Sequence, residues 1–141
     1  MDKTIMYWEN KGKEVPTREL IKTPEQIEGI RRAGVVNTGV LDAVAAAIHE
    51  GMNTLEIDQI WRKYCEEHGA IPACLNYGGD EDTPPFPMSV CTSINEVVCH
   101  GVPKEEDVLI EGDIINVDFT TILDGYYADA SRMFIIGKTS P

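Results

Sequence analysis

Apolar residues recur at helical spacing in the first of two amphipathic stretches near the start of the chain. Thr23, Pro24 and Gln26 form a helix start, since Thr caps, Pro suits the first helical position and Gln completes a capping box. Gly51 is a suitable stop. The sequence therefore predicts one long helix, and its expected buried stripe is Ile27, Ile30, Leu41, Val44 and Ile48.

A second helix is predicted directly afterwards. Thr54 is the expected N-cap, Glu56 and Asp58 fall in the first turn, where the helix dipole favours acidic groups, and Gly69 ends the pattern. The link between the two helices, residues 51–53, is short, so the pair is predicted to form a helical hairpin. The stripe of this helix is Ile57, Ile60, Trp61, Tyr64 and Cys65.

Strand signals dominate from Ile71 onward. Residues 88–94 are compatible with a strand, residues 108–123 contain a strand rich in Ile, Val, Phe and Thr, and residues 126–136 are the expected return strand. Asp124-Gly125 is a strong hairpin signal. Helices first and antiparallel strands later predict an α+β domain over residues 23–141, with both helices packed on one face of the sheet. Residues 1–22 show no sustained period and are predicted to be an extension.

The charge balance narrows the range of partners. Lys and Arg number 12 against 24 Asp and Glu, for a formal net charge of −12, so neither nucleic acid nor an anionic membrane surface is an expected partner. Charged residues interrupt the first twenty positions, and no apolar run reaches the roughly 20 residues of a membrane span. We therefore expect a cytoplasmic protein whose four cysteines are reduced.

Two acidic residues in the predicted hairpin are the first candidates for chemistry. A two-residue turn at Asp124-Gly125 places Asp118 opposite Ser131 and Thr120 opposite Asp129, so Asp118 and Asp129 are diagonal neighbours on one face. Their mutual repulsion in a poorly solvated setting would be relieved by a divalent cation such as Mg, Mn, Fe or Co. Two metals there suit hydrolysis. Ordinary exposed carboxylates on a wet strand face are the alternative interpretation.

His100 is the second candidate. It precedes Gly101 and lies two residues before Val102-Pro103, in a segment typical of a held loop that presents functional side chains. A histidine there can hydrogen-bond a substrate carbonyl or transfer a proton near neutral pH. Taken alone, an isolated histidine is more often a packed or surface residue.

Taken together, three segments resemble the methionine aminopeptidases, which remove the initiator Met from new proteins. The segments are residues 93–103 (SINEVVCHGVP), residues 112–118 (GDIINVD), and the hairpin from Asp124 to Asp129 followed by Met133-Phe134. Their order and spacing agree with that family, including 118 − 100 = 18 and 129 − 118 = 11. The match runs from about residue 22 to residue 137 and favours the metal interpretation of the acidic pair.

The resemblance implies a role for each candidate. Asp118 would bind one of two divalent metal ions (Co, Mn, Fe, Zn or Ni), Asp129 would bridge both, and His100 would contact the substrate near the scissile bond. The N-terminal Met of a peptide or nascent protein would be the substrate, and its thioether suits a soft, apolar pocket. The positions that match this pocket are Cys74, Tyr77, Phe86 and Cys91.

The chain also departs from the family pattern. Residues 79–84 (GDEDTP) are extra relative to the shortest members, Phe86 stands where many members have Tyr, and Ala128 stands where Gly is frequent. We interpret these as subfamily variation with an altered pocket rim.

Members of this family have the pita-bread fold of two similar halves, and the second half supplies a His and two Glu ligands. The sequence ends soon after the Asp129 strand, and His49 and His68 fall at predicted helix ends, so we expect an N-terminal half with only two ligand carboxylates. Such a chain is expected to be inactive alone, and the missing C-terminal half is its expected partner. It is also expected to self-associate through its exposed sheet face. Two alternatives stay open: a related proline-directed pita-bread peptidase, and a non-catalytic module that binds peptides or proteins.

Overall fold

A computed structural model of the protein describes residues 3–16 and 18–138. Helix α1 (Lys3–Glu9) and a 3-10 turn (Arg18–Leu20) lie in the segment predicted to be an extension, and neither buries a side chain. No pattern in the sequence predicts these short elements. Residues 1–2, 17 and 139–141 of the predicted ranges lie outside the described residues.

Helix α2 (Pro24–Ala47) begins as predicted. The Thr23 side chain accepts a hydrogen bond from the Gln26 N–H, and the Gln26 side chain accepts one from the Thr23 N–H. The helix ends before Gly51, however, because Ile48 already has extended backbone angles. Gly51 instead lies in the following turn with a φ of 87°, and its N–H donates to the Leu109 carbonyl.

The buried face of α2 differs from the predicted stripe in the first half of the helix. Ile27 and Ile30 are 47% and 37% exposed, whereas Gly29 is buried. A Cβ at Gly29 would overlap the ring of Tyr126, so the helix meets the sheet there through a small residue. The buried residues of α2 are Gly29, Ala33, Val36, Asn37, Val40, Leu41 and Val44.

The N-cap of helix α3 (Thr54–Glu67) lies one residue earlier than predicted. Asn53, not Thr54, is the N-cap, and it forms a reciprocal capping box with Glu56. The Thr54 hydroxyl is engaged elsewhere, since it donates to the Lys104 carbonyl and accepts from the Lys104 N–H. The predicted stripe is confirmed: Ile57, Trp61 and Cys65 are buried, and Ile60 and Tyr64 pack against them.

One antiparallel sheet forms the second layer. Strand β3 (Ile114–Leu123) is central, β4 (Tyr126–Ile135) pairs along one edge, and β1 (Ile71–Pro72) and β2 (Cys91–Ile94) share the other edge. Strand β2 is shorter than the strand predicted at residues 88–94, and β4 ends one residue before the predicted end of the return strand.

The core lies between the helices and one face of β3. Ile115, Val117, Phe119 and Thr121 alternate towards the helices and are buried. The Phe119 ring stacks on Trp61 with 4.1 Å between centroids. The alternate side chains of β4 on the other face are exposed. Helices followed by one antiparallel sheet with a single covered face confirm the predicted α+β arrangement. No helix within the described ranges has the length and apolar character to cross a membrane.

Candidate active site

The turn between β3 and β4 fixes which side chains share the open face. Asp124 and Gly125 have φ angles of 51° and 79°, as the two left-handed positions of a type I′ turn require. Every pair in the hairpin follows the register expected from the sequence. The confirmed pairs include Leu123 with Tyr126, Asp118 with Ser131, and Thr120 with Asp129.

Asp129 is oriented by its neighbour across the hairpin. The Thr120 hydroxyl donates a hydrogen bond of 2.9 Å to Oδ1 of Asp129. Because side chains alternate along each strand, Asp118 and Asp129 lie diagonally on the open face, and Thr120 and Ser131 occupy the other diagonal. One oxygen of Asp129 is thus held by a neighbour on its own face of the sheet.

The electrostatics of the pair match the sequence argument. Desolvation raises the pKa of Asp118 above its ordinary value, and the negative charge of Asp129 raises it further. His100 and the backbone N–H of Phe119 act in the opposite direction and lower it. The pair is therefore under repulsion at neutral pH, and a cation near both carboxylates would relieve it.

Asn37 anchors this hairpin from the helix side. Its side chain is 1% exposed, and its Nδ2 lies 3.2 Å from the Phe119 carbonyl, 2.9 Å from Thr121 Oγ1 and 2.9 Å from the Ala128 carbonyl. These acceptors flank the backbone of both acidic positions. Sequence reasoning missed this residue, although a polar side chain inside an apolar helix stripe is a recognisable signal.

His100 is presented by a constrained loop. Its φ is 56°, and the next residue, Gly101, is held against β2: Thr92 N–H donates to the Gly101 carbonyl, and Gly101 N–H donates to Ser93 Oγ. A Cβ at Gly101 would overlap the Thr92 carbonyl oxygen, so only glycine fits this approach. The backbone therefore places His100 beside Asp118, in the same groove.

The seven residues singled out from the sequence line a single open groove of about 1180 Å³. Two backbone hydrogen bonds join the segment around Tyr77 to that around Phe86: Phe86 N–H donates to the Tyr77 carbonyl, and Asn76 N–H donates to the Phe86 carbonyl. The groove brings together Cys74, Tyr77, Phe86, Cys91, His100, Asp118 and Asp129.

The extra segment, residues 79–84, forms part of the groove wall. Gly79, Thr83 and Pro84 line the groove. The Asp80 carboxylate accepts hydrogen bonds from the backbone N–H groups of Asp82 and Thr83, which holds its pKa below the ordinary value. The segment is thus a folded turn on the groove wall, and an altered pocket rim relative to the family stays a prediction.

Two thiols meet on the groove floor. A hydrogen bond from the Cys91 thiol lowers the pKa of Cys74 to about 7. The same hydrogen bond raises the pKa of Cys91, and burial adds to that increase. Both cysteines are free.

Other groove residues were not predicted. Tyr127 and Ile122 lie on the open face and line the groove with Val102 and Phe119. Tyr127 is two positions from Asp129, so strand alternation was the available signal. His49 and His68 do not line the groove. The Nδ1 of each lies 2.8 Å from a backbone carbonyl near its own helix end.

The donor set fits part of a divalent metal site. Two carboxylates supply hard oxygen ligands on one face, and the raised pKa of Asp118 indicates a place where positive charge is favoured. Within residues 3–16 and 18–138, no three His, Cys, Asp or Glu side chains are grouped so as to hold a metal ion. Further ligands would be required for a complete site.

Comparison with known proteins relates the groove to a family. Residues 28–141 match the model of metallopeptidase family M24. The methionine aminopeptidase of Chlamydia trachomatis is 51% identical over 121 residues, covering 86% of this chain and 40% of that protein. The methionine aminopeptidase of Escherichia coli K12 is 47% identical over 119 residues, covering 84% and 43%. The chain thus spans about two fifths of the length of these relatives.

Solved structures agree with this assignment. The methionine aminopeptidase of Rickettsia prowazekii superposes with a TM-score of 0.78 at 40% identity, over 85% of this chain and 46% of that chain. An Xaa-Pro dipeptidase of Bacillus anthracis shares the fold alone, with a TM-score of 0.70 at 21% identity, over 86% and 31%. The predicted resemblance to methionine aminopeptidases is confirmed, and the chain belongs to metallopeptidase family M24.

Proposed function

We propose that this chain forms the first part of a methionine aminopeptidase, and that its groove binds the N-terminal Met of a peptide or nascent protein for hydrolytic removal. The observation that carries the proposal is the convergence of all seven candidate residues on one groove. Relatives named methionine aminopeptidase at 47–51% identity support it. Residues 23–141 would belong to the catalytic domain, and residues 1–22 would extend from it.

Asp118 and Asp129 would hold the metal ions on the open face of the hairpin. A pair of divalent ions would supply Lewis-acid polarisation of the scissile carbonyl and an activated water. The Thr120 hydroxyl fixes one Asp129 oxygen, so the carboxylate is pre-oriented before any ion arrives. Neutralisation of the repulsion that raises the pKa of Asp118 would favour binding. Which of Co, Mn, Fe, Zn or Ni is used stays a prediction.

The remaining groove residues would position the substrate. His100, held by its strained loop, would hydrogen-bond near the scissile bond. The Met side chain would contact the apolar and sulfur-bearing part of the groove, where a thioether packs well. That part is formed by Cys74, Tyr77, Phe86 and Cys91.

Completion of the site would require ligands from outside the described residues. Two carboxylates cannot fill the coordination of two divalent ions, and the chain spans about 40% of the Chlamydia trachomatis relative. We therefore expect the isolated chain to be inactive and a C-terminal half to supply the other ligands. Self-association and a cytoplasmic location stay predictions.

A chimera in which this chain replaces the aligned segment of the Escherichia coli methionine aminopeptidase provides the experiment. We expect Mn²⁺- or Co²⁺-dependent release of Met from a Met-Ala-Ser peptide, and a loss of about 100-fold or more with Asp118→Asn. Asp42→Asn is the matched control, because Asp42 is exposed and pairs with Arg132 away from the groove.

Either of two outcomes contradicts the proposal. A folded chimera that binds Mn²⁺ but releases no Met indicates a binding module. Release that survives Asp118→Asn places the chemistry elsewhere. Met release by the isolated chain, lost in Asp118→Asn, would instead show that the chain completes its own site.

A further inference from the structure

We propose that Cys74 and Cys91 form a reversible disulfide, so that the groove carries a thiol pair open to oxidative modification. Both cysteines line the same groove and lie on segments that meet one edge of β3 at neighbouring positions. A hydrogen bond between the two thiols also shifts the pKa of each, and neighbours of this kind can close an S–S bond through side-chain rotation. The inference concerns this pair alone and holds whatever ligand the groove binds.

The sheet explains why the two cysteines meet. β1 and β2 lie along the same edge of β3. Cys74 directly follows Ala73, whose N–H donates to the Thr120 carbonyl at 3.0 Å. Cys91 opens β2 opposite Asp118. Both segments therefore contact β3 two positions apart, and residues 17 apart in sequence (91 − 74) are side by side.

The groove gives an oxidant access to the pair. Cys74 is half-buried, and both cysteines line the open groove. Cys91 is 8% exposed, so Cys74 is the thiol that a small molecule such as hydrogen peroxide reaches first, and Cys91 is the thiol that then closes the bond. The surrounding backbone stays paired to β3 on both sides, so the bond requires no rearrangement of the sheet.

The other two cysteines are placed differently. Cys65 is 1% exposed and packs in the core beside Trp61 and Ile57, away from the groove. Cys99 is exposed and precedes His100. Cys99 lies near enough to Cys91 to raise its pKa electrostatically. Cys99 is therefore the competing partner for Cys91 and the necessary control.

The oxidation balances with hydrogen peroxide as the oxidant. One thiol sulfur attacks a peroxide oxygen, the O–O bond breaks, a sulfenic acid forms and the other oxygen leaves as water. The second sulfur attacks that sulfenic sulfur, the S–O bond breaks, and hydroxide leaves with the thiol proton as a second water. The two sulfurs lose two electrons and the peroxide gains them. A dithiol reductant reverses the bond by exchange.

The bond would change the groove. It would tie the segment after β1 to the start of β2 and close the loop that carries Tyr77, residues 79–84 and Phe86, which form one wall. It would also replace two polarisable thiols by a bridging S–S unit on the floor. Oxidation should therefore reduce binding of a ligand that occupies this end.

Mass spectrometry of the reduced full chain tests the inference. The chain is exposed to a small excess of hydrogen peroxide and then denatured in urea so that the buried Cys65 also reacts. Its remaining thiols are capped with a maleimide, and the intact mass and proteolytic peptides are measured. We expect two capped thiols rather than four, a mass decrease of about 2 Da before capping for the two lost hydrogens, and a peptide linking Cys74 to Cys91. Dithiothreitol should restore four reactive thiols.

Matched variants identify the pair. Cys74→Ser and Cys91→Ser should each abolish the linked peptide, whereas Cys99→Ser should form it as fully as the parent chain. Circular dichroism of each variant checks that it folds. A bond from Cys91 to Cys99, or separate sulfinic acids at Cys74 and Cys91 without a link, overturns the proposal. Both outcomes are read from the parent chain, so they do not depend on the variants.

Discussion

The Thr120 hydroxyl lies 2.9 Å from Oδ1 of Asp129, directly across the β3–β4 hairpin. The contact is short because the two-residue turn pairs these positions. Asp118 shares their face one alternation earlier on β3. The orientation of one proposed metal-binding carboxylate is thus set by a hydroxyl that would not itself bind the ion.

Replacement of this hydroxyl should weaken ion binding without unfolding the chain. In the chimera, Thr120→Val keeps the side-chain shape and removes the donor, so the affinity for Mn²⁺ should decrease by about 10-fold, as for other supporting contacts of metal ligands. Isothermal titration calorimetry gives the affinity. Thr38→Val is the control, because the Thr38 hydroxyl bonds to carbonyls of its own helix; equal losses in both variants would remove the assigned role.

Asn37 should be a large single contributor to the stability of the hairpin. Asn37→Ala leaves the Phe119 and Ala128 carbonyls without this buried donor and opens a small cavity, so we expect a loss of about 2–4 kcal/mol in the free energy of unfolding. Urea unfolding at pH 7 measures it. Asn10→Ala, at an exposed position, should change stability by less than about 0.5 kcal/mol. A cost below about 1 kcal/mol for Asn37→Ala would show that the anchor is dispensable.

The raised pKa of Asp118 predicts a definite dependence of stability on pH. Burial and the charge of Asp129 raise the folded-state pKa above the unfolded value, so the folded chain holds this proton more tightly. Stability from this group therefore falls as pH rises through the folded pKa, and the ionised form is a liability at neutral pH.

Asp118→Asn should accordingly stabilise the metal-free chain at pH 7 and raise its melting temperature. The gain in the free energy of unfolding should be less than about 1 kcal/mol, because the group is partly solvated. The advantage should vanish below the ordinary Asp value of about 3.8, where the native carboxyl is protonated. Thermal melts from pH 3 to pH 8 with a chelator present measure the difference. Asp42→Asn should show no such rise, and a destabilised Asp118→Asn at pH 7 would contradict the repulsion.

The hairpin was predictable because its information is local. Asp124 and Gly125 adopt the two positive φ angles that the turn needs, and strand alternation then fixes the face of Asp118 and Asp129. The N-cap of α3 was not predictable in this way, because Asn53 and Thr54 can both cap a helix. The choice depends on Lys104, fifty residues away, which engages the Thr54 hydroxyl.

The predicted buried face of α2 was wrong in its first half for a related reason. Hydrophobic spacing gave weight to Ile27 and Ile30, but the sheet packs on Gly29, where the Tyr126 ring needs the missing Cβ. Within the groove, the acidic pair followed from the register, whereas Cys74 and Cys91 came from resemblance. Their contact depends on two separate segments meeting one edge of β3, which no local pattern encodes.

Gly101 should be intolerant of even one methyl group. Its Cβ position overlaps the Thr92 carbonyl oxygen, which is backbone of β2 and cannot move aside cheaply. Gly101→Ala should therefore cost about 2 kcal/mol or more in stability, and it should displace the neighbouring His100 from the groove. Gly34→Ala is the matched control: a Cβ there meets nothing within 4 Å, and alanine in a helix interior should stabilise by about 0.5–1 kcal/mol. Urea unfolding gives both values, and the histidine ring signals in NMR spectra should shift for His100 in Gly101→Ala alone. Similar stabilities for the two variants, with an unchanged His100 signal, would show that the loop accommodates the methyl group and that the close approach to Thr92 does not hold the histidine.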